Sequence, residues 1–558
     1  MTEIVATNII SPLGRTTEEN ILSVLAGRTA LSRHEGDAAF PEVFTAAAFS
    51  PEQVSEMALD GFPRFESLVI RSVKDALSRA DVDTASGRTL FVLSTTKADI
   101  EELAADASGD GAYLAPGAAA RKIARHLGFV TDPLVVCNAC ISGVTAQALA
   151  HRLLDAGVYD TAVVCGADCL SAFVLAGFSS FKSLSAAECR PFDIERNGLN
   201  LGEAAATMVL RHCEDTAGDG NVQECWGNWK ICACGLDNDA YHVSAPSPSG
   251  DGAYRVILET MSGQDGTALS MLSVHGTATM FNDQMESRAV ERSGLSDVTA
   301  TALKGYFGHT LGASGLLESI ISMEAADRGI VPATRGFSQA GVSGRIDVSA
   351  ENRACTGTDV LKIISGFGGC NGAILYSKDC GRAQGRTGTA GAKILRTVRI
   401  SSEDFSVDEI YRNNGWDYPR FHKMDAMGKL LFAATELLLE ECPLTEDESK
   451  RAVLLFNASS SVLSDRRHLA SFSGSDNFFP SPSVFLYTLP NVAVGEIAIR
   501  HGIKGETSLM ILDGRNDALM DAVADATFRA SDVNNVITGW IDCPAEDDYI
   551  ADLKLLSR

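Results

Sequence analysis

The sequence is short of positive charge. Only 47 lysines and arginines face 72 aspartates and glutamates among 558 residues, a formal net charge of −25. Such a chain is a poor general partner for nucleic acid or an anionic membrane, because phosphate binding needs a positive field. A local basic patch for an acidic partner stays open. Long apolar runs are missing too, and no stretch offers the roughly 20 consecutive apolar residues of a spanning helix, so no membrane insertion is expected. The opening Met-Thr-Glu-Ile-Val-Ala-Thr-Asn lacks a basic segment followed by an apolar run, so no secretory leader is expected. The 14 cysteines show no dense periodic spacing. They read as reduced thiols of a cytoplasmic protein, many of them buried as small hydrophobes. No second Cys-x-x-Cys and no paired histidines accompany Cys137 and Cys140, which makes a zinc or redox site there the weakest reading, and no metal is expected.

What is present is a globular composition, 45% hydrophobic and 21% charged, in a chain longer than one core normally organises. The first 380 residues alternate strand-like and helix-like segments, which indicates an α/β fold with layered helices. Residues 378–392, Lys-Asp-Cys-Gly-Arg-Ala-Gln-Gly-Arg-Thr-Gly-Thr-Ala-Gly-Ala, have almost no large apolar side chains and read as a linker. Beyond it the N-terminal region recurs. Phe62-Pro-Arg-Phe65 matches Tyr418-Pro-Arg-Phe421, each expected to open a helix, and the strand from Leu90 matches the strand from Leu455. The helix after Pro116 matches the helix after Pro490. That register puts Gly514 at the position of Cys140, and only Cys442 and Cys543 follow the linker, so the second copy lacks the first copy's thiol.

Three segments join a reactive side chain to glycine-rich turns. Leu-Val-Val-Cys-Asn-Ala-Cys-Ile-Ser-Gly places Cys140 between a strand and a helix. There the helix dipole is expected to lower the thiol pKa, and nearby backbone N–H groups can bind an oxyanion. Taken alone, a buried structural cysteine fits as well. His275-Gly-Thr-Ala-Thr and Lys304-Gly-Tyr-Phe-Gly-His309, with Glu318 beyond, add two histidines beside glycines, not on a helical face. A thiol with two imidazoles makes acyl transfer plausible.

Together with Cys-Arg-Pro-Phe-Asp193, Ser-Ala-Pro-Ser-Pro-Ser-Gly250 and Ser365-Gly-Phe-Gly-Gly-Cys, these motifs stand in an order that resembles the β-ketoacyl-acyl-carrier-protein synthases, decarboxylating condensing enzymes of the thiolase superfamily. The resemblance covers residues 1–380. It implies a thiolase-like fold of two pseudo-duplicated α/β halves in layered α-β-α-β-α arrangement, plus an extra C-terminal half. The halves would be 1–215, with the nucleophile, and 216–378, with the histidines; 379–394 would be the linker and 395–558 the degenerate repeat. By resemblance Cys140 accepts the acyl chain, and His275 and His309 stabilise the malonyl-derived enolate. Lys304 and Glu318 support them. The backbone N–H groups of Cys140 and Phe367 form the oxyanion hole, Phe367 gates the acyl pocket, and Thr277 and Thr279 bind phosphopantetheine. No resident cofactor is implied, since substrates ride on the phosphopantetheine of acyl carrier protein or CoA. The implied partners are acyl carrier protein and a second synthase-like chain in a homodimer or heterodimer.

Three departures stand out: Ser365 replaces a phenylalanine of the gate segment, Met280-Phe281-Asn282 replaces Pro-Leu-Gly, and Cys137-Asn138 precedes the nucleophile where Asp or Ser and Thr are commoner. A non-catalytic chain-length-factor-like partner of another synthase, and a CoA-dependent thiolase, are the competing functions. Retention of Cys140, His275, His309 and Lys304 together opposes the first, and the histidine motifs fit a synthase better than a thiolase.

Overall fold

Strands β1 (Thr2–Ile10), β2 (Thr89–Ser94), β3 (Leu134–Val136), β4 (Thr161–Asp168) and β5 (Ala204–His212) make the first half. The β2 run Thr-Leu-Phe-Val-Leu-Ser is buried at every position, as for a strand covered on both faces. Helices α1 (Arg64–Leu77), α2 (Pro116–His126), α3 (Ser142–Asp155) and α4 (Ala172–Ser180) connect and flank them. The computed structural model describes all residues except 38, 107–112, 214–228, 265, 380–391, 404–405 and 473–477. The expected boundary at 215/216 and most of the 379–394 linker lie outside the described residues.

The second half contributes β6 (Lys230–Asn238), β7 (Leu269–Ser273), β8 (Thr299–Thr301), β9 (Asp347–Val348), β10 (Asp359–Gly366) and β11 (Cys370–Ser377), with helices α5 (Met280–Arg292) and α6 (Ser314–Asp327). In the sheet it joins the first half through β1 and β6, which pair at Thr2–Ile231 and Glu3–Lys230. Helix α6 is buried at every position from Ser314 to Ala326, and it packs on α3, which is buried almost throughout. Helices covered on all sides belong to a central layer. These two form the shared middle of the expected layered α-β-α-β-α arrangement.

The third unit repeats the first. It runs β12 (Lys393–Ser401), α7 (Ala426–Leu439), β13 (Arg451–Asn457), α8 (Val462–Phe472), α9 (Asn491–His501), β14 (Thr507–Ile511), α10 (Asp517–Ala530), β15 (Asn535–Ala545) and β16 (Asp548–Ser557). One local expectation fails: Tyr418-Pro-Arg-Phe421 leads into a short 3-10 turn, Pro419–Lys423, and the long helix starts only at Ala426. Asp425 supplies the start signal, its carboxylate accepting from the Gly428 N–H at 2.8 Å.

The sheet order is β9-β8-β7-β10-β11-β6-β1-β5-β4-β2-β3-β14-β13-β15-β16-β12. The last five strands mirror the order β1-β5-β4-β2-β3 across the seam between β3 and β14. That seam is antiparallel, with Val136 opposite Met510 and Val135 opposite Ile511. The repeat therefore covers the free edge of the nucleophile-bearing half with a copy of itself. Buried ion pairs Arg152–Glu506 and Lys97–Asp465 cross the same interface. Among the described residues, no helix is long and apolar enough to cross a membrane. The described cysteines are free thiols except Cys232, which is disulfide-bonded and departs from the expectation of reduced thiols throughout.

Candidate active site

The two cysteines of the opening motif separate. Cys137 lies just past β3, 1% exposed, its thiol 3.5 Å from the Thr96 carbonyl. Cys140 sits in the 3-10 turn Ala139–Ile141 that feeds α3, with Ala139 held at φ 47°. Asn138, one of the unusual residues before the nucleophile, faces the C-terminal repeat. Its amide donates to the Thr507 carbonyl at 3.2 Å, and its Oδ1 accepts from the Leu509 N–H at 2.9 Å. The repeat thus holds the nucleophile turn directly.

Opposite stands the turn before α6. A Cβ on Gly315 would fall 2.5 Å from the Val144 nitrogen, so the α3 and α6 backbones touch, and this contact brings His309 to Cys140. His275 comes from the end of β7. The donor atoms of Cys140, His275 and His309 lie within 4.8 Å of one another, all three buried. The imidazole rings stand 5.2 Å apart at 85°.

Hydrogen bonding fixes both imidazoles. Nδ1 of His309 receives the Leu311 N–H at 3.2 Å and lies 3.0 Å from the Ser314 hydroxyl, while its buried Nε2 has no partner. Nδ1 of His275 lies 3.0 Å from the Lys304 ammonium, which can only donate. Both rings therefore accept at Nδ1 and present Nε2–H. Burial, then Lys304, holds both well below the ordinary histidine range, so they are neutral donors. The same ammonium opposes binding of a cation by this cluster.

Lys304 spends its other two protons on the His275 carbonyl at 2.7 Å and on Glu318 at 2.8 Å. Glu318 also pairs with Lys362. Burial opposes the charge on Glu318, but Lys304 and Lys362 outweigh it and hold the carboxyl below its usual range. Sequence reasoning missed Lys362, whose one signal is a lone lysine inside the apolar run Val360-Leu-Lys-Ile-Ile364. It missed Glu286 as well, which accepts the backbone N–H groups of His275 and Gly276 at 2.6 and 2.9 Å and fixes the histidine turn. Burial pushes that carboxyl up to about 7.

The thiol departs from expectation. Burial pushes Cys140 up to about 11, against the pull of Lys304 and of the nearby backbone N–H groups of Phe367 and Cys140. Loss of hydration outweighs the helix terminus, and the resting group is a protonated thiol. Phe367 stacks on Phe178 at 6.0 Å. Behind the sulfur Phe367, Val174, Phe178, Phe485, Leu489 and Lys97 close a cavity to about 10 Å³, room for roughly one water. Phe485 and Leu489 belong to the repeat. Ser365, in place of a gate phenylalanine, donates to Asn371 at 2.7 Å, and Phe281 in the altered histidine loop is 78% exposed. Thr277 and Thr279 lie at that loop with hydroxyls 2.8 Å apart.

Comparison with known proteins agrees with this architecture. Residues 3–216 match the family described as Beta-ketoacyl synthase, N-terminal domain, and residues 230–338 match Beta-ketoacyl synthase, C-terminal domain. A putative mitochondrial 3-oxoacyl-[acyl-carrier-protein] synthase of Schizosaccharomyces pombe is 29% identical over 46% of this chain and 64% of its own length. The 3-oxoacyl-[acyl-carrier-protein] synthase 2 of Rhizobium meliloti is 32% identical over 44% of this chain and 61% of its own. The chain thus spans less than two thirds of the length of these relatives. In fold, a β-ketoacyl synthase from Burkholderia phymatum superposes with a TM-score of 0.59 at 22% identity, covering 67% of this chain and 98% of that one. The PfaC keto synthase–chain length factor covers 100% of this chain and 78% of its own, with a TM-score of 0.73 at 15% identity. With two domain matches spanning more than half of its residues, the chain belongs to the β-ketoacyl synthase family.

Proposed function

We propose that this protein is a 3-oxoacyl-acyl-carrier-protein synthase of the elongating Cys-His-His type. It condenses an acyl thioester with malonyl-acyl-carrier protein in fatty-acid or polyketide biosynthesis, in the cytoplasm. The observation that carries the reading is the buried thiol facing two neutral imidazoles that both present Nε2–H.

In the first step the Cys140 sulfur attacks the carbonyl of an acyl thioester. Its proton goes to the departing pantetheine thiolate, leaving acyl-Cys140 and a free carrier thiol. The N–H groups of Cys140 and Phe367 hold the oxyanion, and Phe367 must swing to admit the chain. In the second step the malonyl thioester lies with its carbonyl oxygen between His275 and His309, its arm along Thr277 and Thr279. Loss of carbon dioxide leaves the electron pair on an enolate that both Nε2–H groups stabilise in a water-poor pocket. The enolate carbon then attacks the acyl carbonyl, the C–S bond breaks, and Cys140 leaves as thiolate and takes a proton from solvent. Lys304 has no proton to spare in this scheme; it keeps His275 in the donor tautomer, and Glu318 and Lys362 hold Lys304. No resident cofactor is needed.

Acyl carrier protein is the proposed partner. The pairing of the repeat with the β3 edge supports a reading in which the chain's own C-terminal unit stands where a second synthase-like chain was expected. Incubation with malonyl-carrier protein and an acyl-carrier donor should release carbon dioxide and form 3-oxoacyl-carrier product, and Cys140→Ala should form none. A wild-type protein that makes no product with several carrier proteins contradicts the proposal and favours the non-catalytic reading.

A further inference from the structure

The duplication sets two copies of one helix against two different loops. Helix α2, after Ala115, begins Pro116-Gly117, and α9 begins after Pro490 with Asn491, so Gly117 and Asn491 are counterparts. Across the seam, the two helix starts meet different loops. Gly117 abuts the turn that has lost its thiol: a Cβ there would press on the Leu512 carbonyl and stand 2.7 Å from the Asp513 nitrogen. Asn491 meets the glycine-rich loop after β10, which itself lies against Cys140: a Cβ on Gly366 would stand 3.2 Å from the Cys140 nitrogen. The Asn491 side chain is fully buried, and its Nδ2 donates to the Phe367 carbonyl at 2.8 Å.

One turn farther along α9, a Cβ on Gly495 would stand 2.6 Å from the Gly368 carbonyl oxygen, so the helix backbone rests on the gate loop. On the loop's other side the Asn238 amide donates to the Gly368 carbonyl at 2.8 Å, and the Gly368 N–H donates to the Val243 carbonyl at 2.7 Å. Gly368 and Gly369 have φ of 87° and 76°, a pair with little shape of its own. Its form is imposed from the two sides, and Asn491 contacts Phe367, which lines the cavity at Cys140 and follows Gly366, where a Cβ would stand 3.4 Å from the Cys140 Cβ. The Asn491 Oδ1 is buried without a donor among the described residues, a destabilising feature that an apolar side chain would avoid. Its amide N–H therefore has a use that packing alone does not explain.

We propose that Asn491 is a positioning residue: it holds the Phe367 carbonyl so that the Phe367 N–H faces the Cys140 sulfur, which makes the C-terminal repeat part of the active site. For catalysis this rests on the condensing reading above; for the geometry at sulfur it does not. Asn491→Ala in the full chain should lower kcat for Cys140 acylation about tenfold or more while KM stays within about twofold, since oxyanion donors act at the transition state. It should also slow iodoacetamide alkylation of Cys140 at fixed pH at least threefold, a readout that needs no turnover. Asn491→Asp keeps the shape; its introduced carboxyl repels the Phe367 carbonyl when ionised and donates when protonated. That variant should regain activity relative to wild type as pH is lowered, which a purely structural role would not produce. Unchanged alkylation in Asn491→Ala, or Asn491→Asp tracking wild type across pH, overturns the inference. A wild type that acylates with no donor sinks the condensing reading, and the alkylation comparison still decides the role of Asn491.

Discussion

At the scale of residues, the site is built to donate hydrogen bonds and to withhold charge. Two imidazoles accept at Nδ1 and donate from Nε2, and the chemistry asks that of groups facing an enolate. The thiol beside them is protonated at rest because burial dominates its surroundings. This gives a sign that can be measured. Thiolate is the reactive form, so alkylation of Cys140 should accelerate about tenfold per pH unit between about pH 7 and pH 9, with no plateau. A plateau by about pH 8 would mean that the helix terminus and Lys304 win over burial. The identity of Cys140, His275 and His309 was legible in short glycine-flanked motifs. The direction of the thiol shift was not, because loss of water is a property of the folded surroundings, whereas a helix start can be read locally.

At the scale of elements, β3 is only three residues long and is completed by β14. Two buried ion pairs and the Asn138 amide reinforce that short seam. Lys97 and Asp465 meet at 2.6 Å with side chains 4% and 3% exposed, and Lys97 also donates to the Thr488 carbonyl. Removing one partner strands a buried charge, so Asp465→Ala should cost about 3–5 kcal/mol, read as a lowered Tm. Lys97→Met with Asp465→Leu should restore most of that loss, because the pair's attraction roughly offsets its desolvation. A double variant no better than the single would show a contribution beyond charge compensation. The sequence revealed the repeat through matched prolines and strands, yet it was silent on the seam. Pairing partners of a strand this short leave no periodic pattern. Lys362 and Asn491 stayed hidden for a related reason: one resembles a stray polar residue in a strand, the other an ordinary helix start.

At the scale of the whole molecule, one chain holds two related turns, with Cys140 in one and Gly514 in the other, at opposite ends of the antiparallel β3–β14 seam of a mirrored sheet. The repeat lacks the thiol and contacts its neighbour's site: Asn138 is held by β14, Phe367 by Asn491, and the cavity behind Cys140 is walled by Phe485 and Leu489. The overall class was readable from ordered motifs. That the third unit is a wall of the active site became visible only when the seam placed it there. The central claim is a single acyl-accepting thiol per chain, completed by that chain's own repeat. Intact-protein mass spectrometry after exposure to an acyl-carrier thioester tests it most directly. One acyl group per 59.1 kDa chain is expected, mapped to Cys140 and lost in Cys140→Ala. An adduct that persists in Cys140→Ala, or two acyl groups per chain, would contradict it.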